Sequence, residues 1–185
     1  SEAAAFLTYE ARSRGCGLAF EPIVASGANA AVPHHVPSGK INSGFCVVDF
    51  GVTYKGYCSD VTRTFFVGKP SDSERKLYEQ LLKIQENSIL KVRLNEKIAP
   101  LYNDVRKILG VRFIHSLGHG MGIEVHEAPN ISYTSKDVFK KNMIVTIEPG
   151  VYVHGKYGIR IEDDVLVTAG KPKILSKFSK ELICI

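Results

Sequence analysis

Apolar residues recur along the 185-residue chain with two periods, and the period changes divide it into elements. Ser1–Arg14 carries Ala4, Leu7 and Ala11 at helical spacing and stops at Gly15 and Gly17, which predicts a helix. Ala19–Ser26 is apolar and strand-like, and a loop rich in Gly, Pro and His follows from Gly27 to Gly39. Phe45–Gly51 and Ser59–Val67 read as paired strands around a turn at Thr53–Gly56. Ser71 and Glu74 have the spacing of a capping box. They open a long amphipathic helix with Leu77, Leu81, Ile84 and Ser88 on one face. A second helix places Ile98, Leu101, Tyr102, Val105 and Ile108 on one side and ends at Gly110. A His/Gly-rich stretch (His115–His126), a strand at Met143–Glu148, a turn near Gly155 and a strand at Gly158–Thr168 complete the chain. Helices and antiparallel hairpins in this order predict an α+β fold in one domain over residues 1–185.

Composition narrows the classes. No apolar run is long enough to span a bilayer, so no membrane partner is expected. The net charge is +5, yet the basic residues are scattered rather than massed on one segment, which argues against nucleic acid as a partner. Four cysteines (Cys16, Cys46, Cys58, Cys184) form no CxxC pair, and two lie in strand-like sequence. Buried free thiols in a reducing cytoplasm are the expectation.

Candidate chemistry appears where carboxylates interrupt strands. Strands pairing symmetrically about Tyr54 and Lys55 would set Asp49 opposite Asp60, on one face of the sheet. Pairing about Gly155 would set Glu148 opposite Glu162. A single carboxylate at a strand end is ordinarily solvated, but two facing pairs repel unless cations intervene. Four carboxylates around one site ask for two divalent ions. His119 supplies a fifth candidate ligand, among the glycines 118, 120 and 122. Mostly oxygen donors with one imidazole favour Mn²⁺ or Co²⁺.

In chain order, Asp49, Asp60, His119, Glu148 and Glu162 resemble the five metal ligands of the pita-bread metallopeptidases, which include methionine aminopeptidase, aminopeptidase P and prolidase. The resemblance runs from FEPIVASGANAAVPHHVP (Phe20–Pro37) through LGHGMGIEVHE, TIEPGVYV and GIRIEDDVLVT to KELI at Lys180–Ile183. NAAVPHH and GIRIEDD are similar to the Xaa-Pro branch. Methionine aminopeptidases tend to carry a glutamine and a histidine around the last ligand, where this chain has Arg160 and Asp163. Creatinase shares the fold without the metal-binding carboxylates.

The resemblance implies two pseudo-symmetric halves of antiparallel strands covered by helices, and a dinuclear peptidase acting on substrates with proline in second position. It further implies that Asp49 and Glu162 bridge or clamp the cations, that Asp60 completes one coordination sphere, and that His119 and Glu148 complete the other. Glu148 would shuttle the proton, His126 and His34 would hydrogen-bond the substrate, and His115 and Arg160 would line the proline-side pocket. His35 competes with His34, which is preferred because it directly follows Pro33. The resemblance also leads to the expectation of one more helix and an N-terminal domain ahead of Ser1, and of a homodimer in the full-length form. Prolidase activity is the favoured expectation. Aminopeptidase P, methionine aminopeptidase and a non-catalytic binding module are the alternatives.

Overall fold

The computed structural model describes residues 1–185. Helix α1 (Glu2–Ser13) begins where the Ser1 hydroxyl accepts the Ala4 N–H. Strands β1 (Gly17–Leu18) and β2 (Ile23–Ser26) follow, then a 3₁₀ turn at Gly27–Ala31. Next come β3 (Gly44–Phe50), β4 (Val52–Tyr54), β5 (Tyr57–Cys58) and β6 (Val61–Val67). Helices α2 (Asp72–Ile89) and α3 (Ile98–Leu109) separate the two halves. The second half contains β7 (His119–Met121), β8 (Glu127–Asn130), β9 (Ile144–Ile147), β10 (Gly150–Val153), β11 (Tyr157–Arg160), β12 (Asp163–Leu166) and β13 (Lys173–Ile174).

The capping box at α2 forms as expected: Ser71 Oγ accepts the Glu74 N–H at 3.3 Å, and Glu74 Oε2 accepts the Ser71 N–H at 2.8 Å. Gly110 terminates α3 with φ +63°, a conformation that glycine adopts without a Cβ penalty. Leu81 and Ser88 of α2 are buried, as are Ile98, Leu101 and Val105 of α3. Ile108 is instead 64% exposed, and Leu109 takes the core position.

The β2–β3–β6 sheet lies in the first half and the five-stranded β13–β12–β9–β7–β8 sheet in the second; every pairing is antiparallel. The β10–β11 hairpin packs across β3 and the 3₁₀ turn. It can approach that closely only because residue 158 is glycine: a Cβ there would fall on the Ala30 carbonyl. A continuous core joins the helices to both sheets through Phe45, Tyr78, Leu81, Phe113, Leu117 and Ile161. Each fully buried side chain of this kind contributes about 1.5–3 kcal/mol.

Three expectations change. The Ala19–Ser26 strand is confined to Ile23–Ser26. The Gly158–Thr168 strand breaks at Ile161–Glu162 into β11 and β12, which belong to different sheets. The first hairpin has another register: Asp49 pairs with Thr62 and Phe50 with Val61, so Asp60 is displaced from the position opposite Asp49. The turn is centred on Lys55 and Gly56, both at positive φ (+49° and +84°), as a two-residue turn matched to strand twist requires. Glycine takes the second of those places, moving the centre one residue beyond Tyr54–Lys55.

Candidate metal centre

A cavity of about 880 Å³ opens between the halves, and all nine residues singled out from the sequence line it. Asp49 lies near the end of β3, and Asp60 immediately precedes β6. Glu148 and Glu162 occupy the breaks between β9 and β10 and between β11 and β12. The expected Gly155-centred register holds on both sides of those breaks: Gly150 pairs with Arg160, and Ile147 with Asp163. Leaving the ladder frees both glutamates to turn into the cavity. Backbone bonds anchor the breaks, with Glu148 N donating to Leu117 O at 2.9 Å and Glu162 N to Thr62 O at 3.1 Å.

Ligand atoms of Asp60, His119 and Glu162 lie within 4.8 Å of one another, all from buried residues. His119 Nδ1 is 3.0 Å from Gly120 O, which holds a proton there and turns Nε2 towards the carboxylates. Nε2 lies 3.5 Å from Asp60 Oδ2 and 3.6 Å from Glu148 Oε1. Asp49 stands at the side of this cluster, its Oδ2 held by Arg160 Nη2 at 2.7 Å. The structure thus groups Asp60, His119 and Glu162, with Asp49 tied to Arg160 beside them.

Two observations test whether cations fit. Asp49 Oδ1 and Asp60 Oδ1 are buried carboxylate oxygens without a hydrogen-bond partner, an arrangement costly without a counter-charge. The same burial, with carboxylate neighbours adding to it, pushes the Asp60 carboxyl up to about 6, Glu148 to about 7 and Glu162 well above its ordinary range. Burial alone would lower His119, but its hydrogen bond to Asp60 and the Glu148 charge raise it to about 9. A cluster that retains protons in this way is a cluster suited to exchanging them for metal.

Around it, the His126 ring meets His119 edge-on at 4.4 Å. His34 lies close enough to lower both His115 and His126, behind the larger effect of burial on each. His35 bonds Ser38 Oγ at 3.3 Å, and both it and His34 line the cavity. Burial, and then the Arg160 charge, bring His115 down to about 4, so it is neutral near pH 7. Its Nε2 lies 2.9 Å from Tyr152 Oη. Arg160 is buried, and its guanidinium is held by Asp49, Tyr152 Oη (2.8 Å), Thr62 Oγ1 (3.1 Å) and Pro33 O (3.3 Å). It lines the wall with its charge committed to Asp49.

Sequence reasoning missed three supports. Thr62 Oγ1 donates to Glu162 Oε2 at 2.6 Å. Thr146 Oγ1 accepts the His119 N–H at 3.0 Å and donates to Glu148 Oε1 at 3.1 Å. Tyr152 joins His115 to Arg160. The period of two could have found both threonines, because each lies two residues from a ligand and on its face.

The sequence profile of metallopeptidase family M24 matches residues 1–169. The chain belongs to that family. It is 41% identical to a Xaa-Pro dipeptidase of Pyrococcus furiosus (strain ATCC 43587 / DSM 3638 / JCM 8422 / Vc1), in an alignment covering 98% of this chain and 55% of that protein. Among solved structures, a dipeptidase from Pyrococcus horikoshii OT3 superposes with a TM-score of 0.94 at 42% identity, covering all of this chain and 54% of that one. An X-Pro aminopeptidase from Thermotoga maritima MSB8 also gives 0.94, at 38% identity, covering all of this chain and 55% of that one. The M24 chain thus spans about half the length of the relatives it matches. Its fold is the pita-bread fold.

Proposed function

We propose that this domain is the catalytic part of a dinuclear Xaa-Pro peptidase, with dipeptides ending in proline as the preferred substrates. The observation that carries the reading is the convergence of five ligand side chains, two with orphaned buried oxygens, on one histidine-lined cavity. The likeness to a Xaa-Pro dipeptidase at 41% identity supports the substrate class. The equal superposition on an X-Pro aminopeptidase keeps aminopeptidase P as the second reading.

Asp49, Asp60, His119, Glu148 and Glu162 would hold the two cations, with Asp60 and Glu162, grouped with His119, at the centre of the set. Two divalent cations there, Mn²⁺ or Co²⁺, would lower the pKa of water and stabilise charge on the scissile carbonyl oxygen. Glu148, on the cavity wall beside His119, takes the proton from the attacking water at its carboxylate. It then delivers that proton to the departing proline nitrogen. His126 and His34 hydrogen-bond the carbonyl oxygen as the centre becomes tetrahedral. His115 and Tyr152 line the proline side. Arg160 contributes there by fixing Asp49 and the Tyr152 hydroxyl.

Hydrolysis of Ala-Pro and Ala-Pro-Ala by the full-length protein, with Mn²⁺ and with chelator, tests the reading. Chelator-sensitive cleavage of the dipeptide alone is the expected result. Cleavage of the tripeptide as well would establish the aminopeptidase. A protein holding two metals that cleaves neither would sink the Xaa-Pro assignment.

A further inference from the structure

The family profile ends at residue 169, but the segment after it reaches the back of the metal-site carboxylates. Alternation along β12 turns Asp163 away from the cavity that receives Glu162. Asp163 is fully buried and fully bonded. Its Oδ1 accepts from Arg63 Nη2 at 2.7 Å and from Ser176 Oγ at 2.6 Å. Its Oδ2 accepts from Gln85 Nε2 at 2.9 Å and lies 3.1 Å from Lys180 Nζ.

Arg63 is the centre of this network. Its Nη1 donates to Thr62 O at 2.9 Å and to Glu162 O, fastening together the two chain segments that carry Asp60 and Glu162. Its remaining donors are taken by the tail: Nη2 bonds Phe178 O at 2.9 Å, and Nε bonds Ser179 O at 3.0 Å. Tyr78 Oη donates to Lys180 O at 2.9 Å, and Lys180 Nζ to Gln85 Oε1 at 3.1 Å. Further on, Ile183 O and the Ile185 N–H bond Phe66, at 2.9 Å each, and hold the tail along β6.

The two faces of the ligand-bearing segments are therefore opposite in kind. Towards the cavity, oxygens of Asp49 and Asp60 lack partners, and carboxylates repel one another. Towards the tail, every oxygen of Asp163 is satisfied, with two cations against it. Buried ion networks of this sort often add little to stability compared with apolar packing of equal volume, and fixing geometry is the use that remains.

We propose that Ser176–Lys180 is a positioning element of the metal centre: by immobilising Arg63 and Asp163 from behind, it sets the separation of Asp60 and Glu162 and hence the affinity for cations. This rests on the reading that those carboxylates hold metal. The test is calorimetric titration of the chelated, full-length protein with Mn²⁺, alongside melting curves of the metal-free form. Lys180→Met, Ser176→Ala and the double variant alter partly buried tail side chains outside the cavity, and Lys180→Arg is the conservative rescue. Supporting groups behind metal ligands typically change affinity by roughly 10–100-fold. The double variant should show a loss of that size, beyond what any fall in its metal-free melting temperature accounts for, and Lys180→Arg should recover most of the affinity. Wild-type affinity in the double variant would overturn the proposal, as would losses that simply track melting temperature across the series. A wild type that binds two Mn²⁺ but cleaves no Xaa-Pro peptide would overturn the peptidase reading while leaving this titration decisive. A wild type that binds no Mn²⁺ would remove the reading underneath both.

Discussion

At the scale of single residues, the candidate ligands stood out because carboxylates within apolar strands break the pattern of everything around them. Asp49, Asp60, Glu148 and Glu162 each occupy a place where alternation calls for something apolar or leads out of the ladder. Their supports were not legible, because threonine and tyrosine are ordinary strand residues and attract no notice there. Thr62, Thr146 and Tyr152 gain meaning only from their partners. The role of Arg160 was partly hidden for the same reason: a sequence shows a charge near a pocket but not that Asp49 has already claimed it. Glu148 permits the sharpest residue-level prediction. Glu148→Gln keeps an oxygen towards His119 and removes the proton acceptor, so kcat should fall by roughly 10²–10⁴-fold with KM little changed. Steady-state kinetics on Ala-Pro at saturating Mn²⁺ would show it, and a KM effect larger than the kcat effect would reassign Glu148 to binding.

At the scale of elements, the helices were predicted closely and the strands less so. Period and caps determine a helix locally, which is why Ser71, Glu74 and Gly110 mark real ends. Strand register depends on the turn, and a shift of the turn centre by one residue moved Asp60 away from Asp49. The division of Gly158–Thr168 into β11 and β12 follows from packing in two sheets, which no local period records. Two substitutions contrast local with tertiary control. Ser71→Ala removes a cap far from the cavity and should cost about 1 kcal/mol, lowering Tm by roughly 2–4 °C with kcat unchanged. Gly158→Ala places a Cβ against the Ala30 carbonyl and the Tyr152 ring, so the β10–β11 hairpin must retreat from β3. It should lower both Tm and activity, because the hairpin carries Tyr152 and Arg160 against Asp49. Melting curves beside activity measurements separate the two cases, and full activity in Gly158→Ala would refute the hairpin's role.

At the scale of the whole molecule, the metal centre makes stability depend on pH with a definite sign. Without cations, burial holds Asp60 up at about 6, and Glu148 and Asp164 at about 7, so the folded chain keeps protons that the unfolded chain sheds above about pH 4. His119, at about 9 through Asp60 and Glu148 against the opposing effect of burial, extends this behaviour to alkaline pH. His115, lowered to about 4 by burial and the Arg160 charge, and His126, lowered by burial and the His119 charge, act in the opposite direction below about 6.5, but they are two groups against three carboxylates and His119. Where the folded state binds more protons than the unfolded state, stability falls as pH rises. The melting temperature of the chelated protein should therefore decline from pH 5 to pH 8. Mn²⁺ must displace the same protons, so its affinity should grow over that interval. At about 100-fold excess over Kd, one bound ion adds about 2.7 kcal/mol, which for a chain of this size raises Tm by roughly 5–10 °C. Thermal melts at pH 5, 6, 7 and 8, with chelator and with Mn²⁺, would give two curves that diverge as pH increases. Parallel curves would mean that the carboxylates of this cavity are not where the metal binds.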